Sequence, residues 1–379
     1  MHDVVVVGAG VIGASVAWHL ARLGVHALVL ERGAAPGQGS TGRATGGFRA
    51  QFGTDINVRL SLLALEALRR FEEDTGVDPG YAPRGYLWLA RTAAQVAALQ
   101  AAQAVQHAAG LREARMLDAA GIRELNPHVR ADDLAGAAFS PTDGFLRPLD
   151  LLRGYLKGAR IRTDANVVGL RRRSSRIEAV KLSDGSEIAA AAVVDAAGPW
   201  AGPLARLAGV DLPVAPLRRQ VGSTAETAAL PPEMPMTIWV EDAFHVRERD
   251  GRVLLLWPTP GDPRDPESTA VEPAWLEQVR AKAAERIPAL AQVAIDPRRS
   301  WAGLYEMSPD NHALLGPAPG CDNLFFCNGS SGNGVMHAPA LGRLLAEIIV
   351  HGSAQSLDVH ALRPSRFSEG EPVPHPGFL

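Results

Sequence analysis

The residues nearest the N-terminus have types and spacing suited to holding phosphate groups. Gly8, Gly10 and Gly13 follow the β-branched run Val4–Val7 and open an apolar helical segment. Glycines at this spacing allow a tight turn, close approach of the backbone to a pyrophosphate and close packing of helix on strand, and the helix N-terminus favours the phosphate charge. Glu31 ends the next apolar run, where a carboxylate can accept a hydrogen bond from a ribose hydroxyl. The pattern predicts a bound dinucleotide and leaves NAD and FAD open.

Two further segments rich in small residues lie far apart in the chain. Residues 39–48 follow soon after Glu31, and residues 328–334 join a predicted strand, Leu324–Cys327, to a predicted helix over 335–350. Small residues allow a backbone to approach a ligand closely. Because the two segments come from opposite ends of the chain, we expect a long cofactor that crosses the domain.

Two parts of the chain have side chains suited to binding or reacting with a small substrate. Arg49 follows the first of these segments, and a guanidinium matches an amino-acid carboxylate in bidentate fashion. On the predicted strand Phe244–Arg247, alternation places Phe244 on one face and His245 with Arg247 on the other. A histidine with a pKa of about 6.5 can accept a proton from a substrate ammonium. A structural arginine and a structural histidine are the alternatives.

Composition limits the class of protein. The 379 residues carry a formal net charge of −3, which argues against binding nucleic acid phosphates. The two cysteines, Cys321 and Cys327, are too few for a disulfide scaffold or a cysteine-rich zinc module, and no metal site is predicted. Glycines interrupt the apolar N-terminal stretch and no basic leader precedes it, so neither a signal peptide nor a membrane span is expected. These features favour a cytoplasmic location.

The positions of the glycine segments and of the predicted strands indicate two interleaved domains. Residues 1–75, 140–215 and 300–350 are expected to form a discontinuous cofactor domain. Residues 76–139 and 216–299 are expected to pair into one antiparallel sheet with flanking helices, including helices near 92–107 and 273–286, that covers the cofactor. The proline-rich residues 364–379 are expected to form a flexible tail.

Four blocks together resemble a known family. Val4–Glu31, Gly39–Phe52, Val167–Trp200 and Trp301–Gly352 are similar, in the same order, to the FAD-dependent amine and amino-acid oxidoreductases of the D-amino-acid oxidase superfamily. Within it, the sarcosine oxidase β-subunit, L-proline dehydrogenase β-subunit and dimethylglycine dehydrogenase group is the most similar. The resemblance implies an α/β fold, with a Rossmann-like FAD-binding domain of the glutathione-reductase-like type and a discontinuous antiparallel-sheet substrate domain.

The resemblance also implies which residues hold FAD. ADP is expected on the first βαβ unit, Val167 at the adenine end, and residues 40–47 and 329–335 around the isoalloxazine. Some relatives attach FAD through a histidine at the position of Arg43 or a cysteine at the position of Gly303, so non-covalent FAD is expected here. The expected cofactor-binding residues are Gly8, Gly10, Val11, Ile12, Gly13, Glu31, Arg32, Ser40, Thr41, Arg43, Ala44, Thr45, Gly46, Gly47, Val167, Ala197, Gly198, Trp200, Gly303, Gly329, Ser330, Gly332, Asn333, Gly334 and Val335.

The activity that the resemblance implies is oxidation of a C–N bond in a small amino acid or secondary amine, with Arg49, His245 and Tyr305 as catalytic residues. Arg49, Phe244, Arg247 and Met336 are expected to bind the substrate. A lysine that promotes reaction with oxygen in monomeric sarcosine oxidases is replaced by Leu255, which favours a dehydrogenase or a weak oxidase with another electron acceptor. Partner subunits are a further implication. A non-catalytic flavoprotein and an NAD-dependent dehydrogenase are the alternatives.

Overall fold

The computed structural model describes residues 2–374. Within them, eight strands form a first sheet in the order β17-β18-β11-β1-β2-β8, and β9 and β10 extend it as a meander from β11. The strands of this sheet are β1 (His2–Val7), β2 (Ala27–Leu30), β8 (Arg160–Arg162), β9 (Val167–Arg173), β10 (Arg176–Leu182), β11 (Glu187–Asp195), β17 (Leu314–Ala318) and β18 (Cys321–Asn328).

A second sheet of eight strands has the order β16-β12-β15-β14-β13-β4-β6-β5. Its strands are β4 (Tyr86–Ala90), β5 (Arg115–Leu117), β6 (Gly136–Ser140), β12 (Ala215–Ser223), β13 (Met236–Trp239), β14 (His245–Arg249), β15 (Arg252–Leu256) and β16 (Trp301–Met307). They pair in antiparallel fashion except for β4 and β13, which are parallel. A short antiparallel pair, β3 (Gly47–Phe48) and β7 (Gly144–Phe145), lies outside both sheets.

The helices cover the outer faces of the sheets. They are α1 (Val11–Arg22), α2 (Asp55–Arg69), α3 (Phe71–Thr75), α4 (Ala93–Ala109), α5 (Ala119–Leu125), α6 (Pro148–Tyr155), α7 (Ala201–Arg206), α8 (Pro273–Arg286) and α9 (Gly334–His351). Helices near 92–107 and 273–286 were predicted from the sequence, and both are present as α4 and α8. Within residues 2–374, none of these helices combines the length and apolarity needed to span a membrane.

The buried run of β1 explains the layers of the first sheet. Val4 and Val6 pack with α1, α2 and α9 on one face, while Val5 and Val7 pack with the β9–β10 meander and α7 on the other. A strand buried on both faces reads as a continuous apolar run. Gly342 allows α9 to lie close to α1, because a Cβ atom added there would be 2.2 Å from Ser15 Oγ. The end of β1 that borders the site described below is therefore held in place by buried apolar residues on both faces of the sheet.

The strand Trp301–Met307 corrects the expected domain division. Residues 300–350 were assigned to the cofactor domain, but β16 pairs along its whole length with β12 of the second sheet. The rest of that segment, β17, β18 and α9, belongs to the first sheet and its helical layer. The chain therefore crosses between the sheets at the end of β16, and that crossing borders the site described below.

The expectation of a flexible tail from residue 364 is also wrong for its described part. Arg366 is fully buried, and its guanidinium contacts both carboxylate oxygens of Asp310 at 2.8 Å. The backbone N–H of Val373 donates to the same carboxylate at 3.0 Å. Proline content pointed to disorder, but one charged residue anchors this segment to the loop after β16. Residues 375–379 lie outside the described part of the chain.

Candidate active site

A large cavity lies between the two sheets, at the carboxyl ends of β1, β2 and β11. Its volume is about 1130 Å³, above the range of roughly 300–1,000 Å³ typical of small-molecule pockets. One wall is built from the first sheet and the start of α1. The opposite wall comes from the second sheet, through residues such as His245, Leu256 and Tyr305. Ligands bind at this edge of parallel sheets, and the lining extends from Val167 and Trp200 beside the first sheet to Tyr305 and His245 of the second.

The glycine segment before α1 is fixed by close backbone contacts. Gly8 has φ of +111°, and a Cβ atom there would lie 2.3 Å from the carbonyl oxygen of Ala196. A Cβ atom on Gly13 would lie 2.0 Å from the carbonyl oxygen of Gly8. The N–H of Val11 donates to Thr41 Oγ1 at 3.0 Å, which connects α1 to the segment of small residues at 39–48. Gly8 therefore lines the cavity, while Gly13 lies behind it and serves helix–strand packing.

Glu31 and Arg32 shape the end of the cavity beside the β9–β10 meander. Glu31 accepts hydrogen bonds from the N–H groups of Ala9 at 3.1 Å and Gly33 at 2.8 Å, so its carboxylate is held in the wall. The guanidinium of Arg32 stacks 3.6 Å from the centre of the Trp200 ring. This end presents a fixed carboxylate, which can accept hydrogen bonds from ribose hydroxyls, beside the stacked Arg32 and Trp200 side chains.

Most of the residues predicted to bind the cofactor do line the cavity. They are Gly8, Gly10, Val11, Ile12, Glu31, Arg32, Ser40, Thr41, Arg43, Ala44, Thr45, Gly46, Gly47, Val167, Ala197, Gly198, Trp200, Gly303, Gly332, Asn333, Gly334 and Val335. Gly13, Gly329 and Ser330 do not. Gly329 packs against Leu314, and Ser330 is 2% exposed, with its N–H donating to Glu306 at 3.2 Å.

Arg49 presents an unpaired cation to the cavity. Its guanidinium lies 4.0 Å from the centre of the Phe52 ring and 5.1 Å from that of Trp88. It donates to the carbonyl oxygen of Gln51 at 2.9 Å but forms no ion pair with any carboxylate of residues 2–374. Burial lowers the pKa of Arg49 to about 10, so the group stays charged at neutral pH. The carboxylate of Asp143 acts on Arg49 only from beyond ion-pair distance, so a charge held between aromatic rings remains available to an anionic ligand.

His245 is oriented by its own turn. Its Nδ1–H donates to the carbonyl oxygen of Ala243 at 2.8 Å, which leaves Nε2 without a proton in the neutral ring. Burial lowers the pKa of His245 to about 4, and the charges of Arg49 and Arg219 add to this effect. At neutral pH His245 is therefore a hydrogen-bond acceptor. Tyr305 and Met336 line the same region, as predicted from the sequence.

Phe244 and Arg247 do not take the substrate-binding positions expected for them. Phe244 is fully buried, with its ring 5.4 Å from that of Trp239 on the face of the sheet that packs on α8. Arg247 lies on the face of His245, but its Nη1 donates to the carbonyl oxygen of Thr45 at 2.7 Å. The alternation was predicted correctly, whereas Phe244 lies on the core side and Arg247 is engaged with the backbone of a cavity-lining segment.

The pairing of β14 with β15 corrects the expectation for Leu255, the residue expected in place of the lysine of monomeric sarcosine oxidases. Leu255 lies opposite Val246 and is buried in the core, whereas Leu256 lies opposite His245 and lines the cavity.

Arg219 is a cavity residue that the sequence analysis did not single out. Its Nη1 contacts Asp262 at 2.6 Å. Tyr86 and Trp88 also line the cavity, and their alternation along β4 could have identified them as cavity residues. Glu306 lines the cavity too, but no local sequence pattern distinguishes it.

Comparison with known proteins decides the family. A family model described as "DAO: FAD dependent oxidoreductase" matches residues 3–348. The chain belongs to this family. FAD is therefore its cofactor, and the NAD-dependent alternative is set aside. The cavity fits this group, because its volume, the Gly8 contact that excludes a side chain, and the fixed carboxylate of Glu31 suit a dinucleotide.

Individual relatives cover the chain from end to end. FAD-dependent oxidoreductase domain-containing protein 1 of Bos taurus is 30% identical over 97% of this chain and 85% of its own length. The 4-methylaminobutanoate oxidase (formaldehyde-forming) of Paenarthrobacter nicotinovorans is 30% identical over 96% of this chain, which spans 45% of that protein. Among solved structures, L-proline dehydrogenase from P. horikoshii superposes with a TM-score of 0.91 at 26% identity, covering 98% of this chain and 99% of that one.

Proposed function

We propose that this protein oxidises the C–N bond of a small amine that carries a carboxylate, such as an amino acid, an imino acid or an N-methyl amino acid. The observation that carries the proposal is Arg49, a guanidinium in the cavity wall with no carboxylate partner in residues 2–374. The names of the similar L-proline dehydrogenase and 4-methylaminobutanoate oxidase, whose substrates combine an amine with a carboxylate, support it.

Arg49 would bind the substrate carboxylate. The rings of Phe52 and Trp88 flank the guanidinium and keep water from its faces. Charge-assisted hydrogen bonds are strengthened when water is excluded. The bond to Gln51 fixes the direction of the side chain, so the carboxylate would be held in one orientation.

The surroundings favour the uncharged form of the substrate amine. Arg49 and Arg219 both border the region of His245 and Tyr305, and neighbouring positive charge disfavours an ammonium ion. Nε2 of His245 would accept a hydrogen bond from the amine N–H, and neutral His245 adds no further positive charge. His245 therefore orients the amine, and because its pKa is about 4 it is a poor base towards an ammonium ion.

When bound, FAD supplies the acceptor for the hydride equivalent that leaves the carbon next to nitrogen. Arg247 donates a hydrogen bond to the carbonyl oxygen of Thr45 and so helps to fix a segment that lines the FAD cavity. Arg43, Gly303 and residues 332–335 line the cavity around the same region. The resulting imine would hydrolyse in water to a carbonyl compound and an amine. This chemistry needs no protein base, so the lowered pKa of His245 agrees with it.

Anaerobic reduction of the protein by candidate amines tests the proposal. N-methylglycine, proline, hydroxyproline and D-amino acids would each be mixed with the FAD-loaded protein without oxygen. We expect at least one of them to bleach the visible flavin absorption, and the matching amine without a carboxylate to do so far more slowly. If no amine bleaches the flavin while a chemical reductant does, the non-catalytic flavoprotein is the better explanation.

A further inference from the structure

Glu306 is a buried carboxylic acid in the wall of the cavity that no step described so far uses. It lies near the end of β16, is 8% exposed and lines the cavity. Its Oε1 accepts a hydrogen bond from the N–H of Ser330 at 3.2 Å. Its Oε2 is buried and has no hydrogen-bond partner in residues 2–374. The nearest approach from the facing turn is Gly198, where an added Cβ atom would be 3.7 Å from Oε2.

This oxygen lies in the part of the cavity where the two sheets meet. Gly198 follows β11, and the neighbouring Ala196 touches Gly8 of the first glycine segment. These contacts connect Glu306, through the turn at Gly198, to the first glycine segment, which is expected to hold the phosphates. An unpaired polar atom in such a buried position destabilises the protein unless a ligand pairs with it. A dinucleotide presents hydroxyl and phosphate oxygens along the chain that joins its two ring systems.

We infer that Glu306 is a cofactor-binding residue, whose protonated carboxyl donates a hydrogen bond through Oε2 to an oxygen of the ribityl–pyrophosphate chain of FAD. The inference concerns how FAD is held and does not depend on which substrate the protein oxidises. The Ser330 bond to Oε1 fixes the carboxyl group, and Oε2 lies on the side of Gly198, a residue that lines the cavity.

The charges around Glu306 favour its protonated form. Burial raises the pKa of Glu306 to about 7, although hydrogen bonds from Gly329 and Ser330 oppose the change. The titratable groups that face it are Asp195 at the end of β11, whose pKa burial also raises to about 7, and Cys327 on β18, whose thiol pKa is raised. Across the strand pair its neighbour is Pro216, which carries no charge. None of these neighbours is a cation that could stabilise an ionised Glu306.

The sign of the pH effect follows. Below about pH 7 the carboxyl is protonated and can donate to FAD. As the pH rises through that value, the donor is lost and a negative charge forms beside Asp195 and the phosphates. FAD should therefore bind more weakly at alkaline pH.

The test is the dissociation constant of FAD, measured by flavin fluorescence with apoprotein at about pH 6 and about pH 8.5, on either side of the raised pKa. We expect the wild-type constant to rise about tenfold or more across this interval, the loss of one buried hydrogen bond with added repulsion. Glu306→Gln keeps the shape and donates an amide N–H at every pH, so its constant should stay near the wild-type acidic value. Glu267→Gln is the matched control, since Glu267 lines the cavity but is exposed, and should behave as wild type.

Two results would overturn the inference: a wild-type constant that does not change with pH, or a Glu306→Gln variant with the full wild-type pH dependence. Asp195→Asn separates the two acids, because loss of the pH dependence in that variant but not in Glu306→Gln would assign it to Asp195. If a variant does not fold without FAD, the rate of FAD release from the holoprotein on dilution, at both pH values, gives the same comparison.

Discussion

Arg43 and Gly303 lie against each other at the wall of the cavity: a Cβ atom added to Gly303 would be 3.1 Å from Cβ of Arg43. The family resemblance predicts that these two positions match the histidine or cysteine through which some relatives attach FAD covalently. Neither a guanidinium nor a hydrogen atom can form that bond. The structure therefore brings both attachment positions to one place and provides no nucleophile at either.

The first prediction is that FAD is released intact when the protein is denatured. Acid precipitation should leave the flavin in the supernatant and a colourless pellet. Absorption spectra of the two fractions, with the supernatant flavin identified as FAD by chromatography, provide the measurement. Flavin that stays with the washed pellet would mean that another residue attaches it.

The second prediction concerns Arg49. Replacement by alanine should weaken binding of a carboxylate substrate or inhibitor by on the order of 2–5 kcal/mol, because a buried charge-assisted bond is lost. FAD should stay bound, and Arg49→Lys should lie between the alanine variant and wild type. Perturbation of the flavin spectrum by the ligand measures its affinity. The control is Arg59→Ala, which removes an exposed arginine paired with Asp55 at 2.8 Å and should leave the affinity unchanged. Equal affinities for Arg49→Ala and wild type would place the anchor elsewhere.

The N-terminal part of the site could be predicted because its signals are local. Four valines, three spaced glycines and a helix are contiguous in sequence, and the structure places them as β1, the Gly8 segment and α1. Alternation likewise separated Phe244 from His245 correctly. Which face meets the cavity depends on packing against α8, so the expectation that Phe244 binds the substrate was wrong.

Contacts between distant segments could not be predicted. Arg366 and Asp310 are 56 residues apart, and no periodicity connects them. The tail was judged from its prolines, which describe local stiffness and carry no information on a single buried charge pair. Glu306 was missed for a similar reason. Its role depends on where β16 ends relative to the Gly198 turn, and this spatial relationship cannot be predicted from strand propensity.

The third prediction tests this buried pair. Arg366→Met should lower the free energy of unfolding by about 3–5 kcal/mol, because it leaves the Asp310 carboxylate without its partner in a buried place. Urea unfolding followed by circular dichroism measures the change. Arg363→Ala is the control, since Arg363 pairs with exposed Glu369 and Glu371 on the same segment, and it should unfold at nearly the wild-type urea concentration. Equal effects of the two substitutions would argue against a structural role for the buried pair.

The fourth prediction is slow reaction of the reduced protein with oxygen. A fixed positive charge near the flavin promotes that reaction by stabilising developing negative charge, and no lysine of residues 2–374 lines the cavity. Lys282 lies 4.6 Å from the ring of Trp257, a cavity residue, and is paired with Asp242. After anaerobic reduction, an artificial quinone should reoxidise the protein much faster than air-saturated buffer. Leu256→Lys should narrow the gap, because Leu256 faces the cavity opposite His245. Equal rates with oxygen and quinone in the wild type would contradict this prediction and show that the missing lysine does not limit the reaction with oxygen.

The most direct measurement of the central claim is the product of a single anaerobic turnover. The FAD-loaded protein is mixed with an amine that bleaches it, and the carbonyl compound formed by hydrolysis of the imine is quantified against the flavin reduced. Oxidation of a C–N bond predicts carbonyl product in an amount equal to the reduced flavin, and almost none of either from the Arg49→Ala variant at the same substrate concentration. Bleaching without a matching amount of carbonyl product, or no bleaching by any carboxylate-bearing amine, would contradict the account.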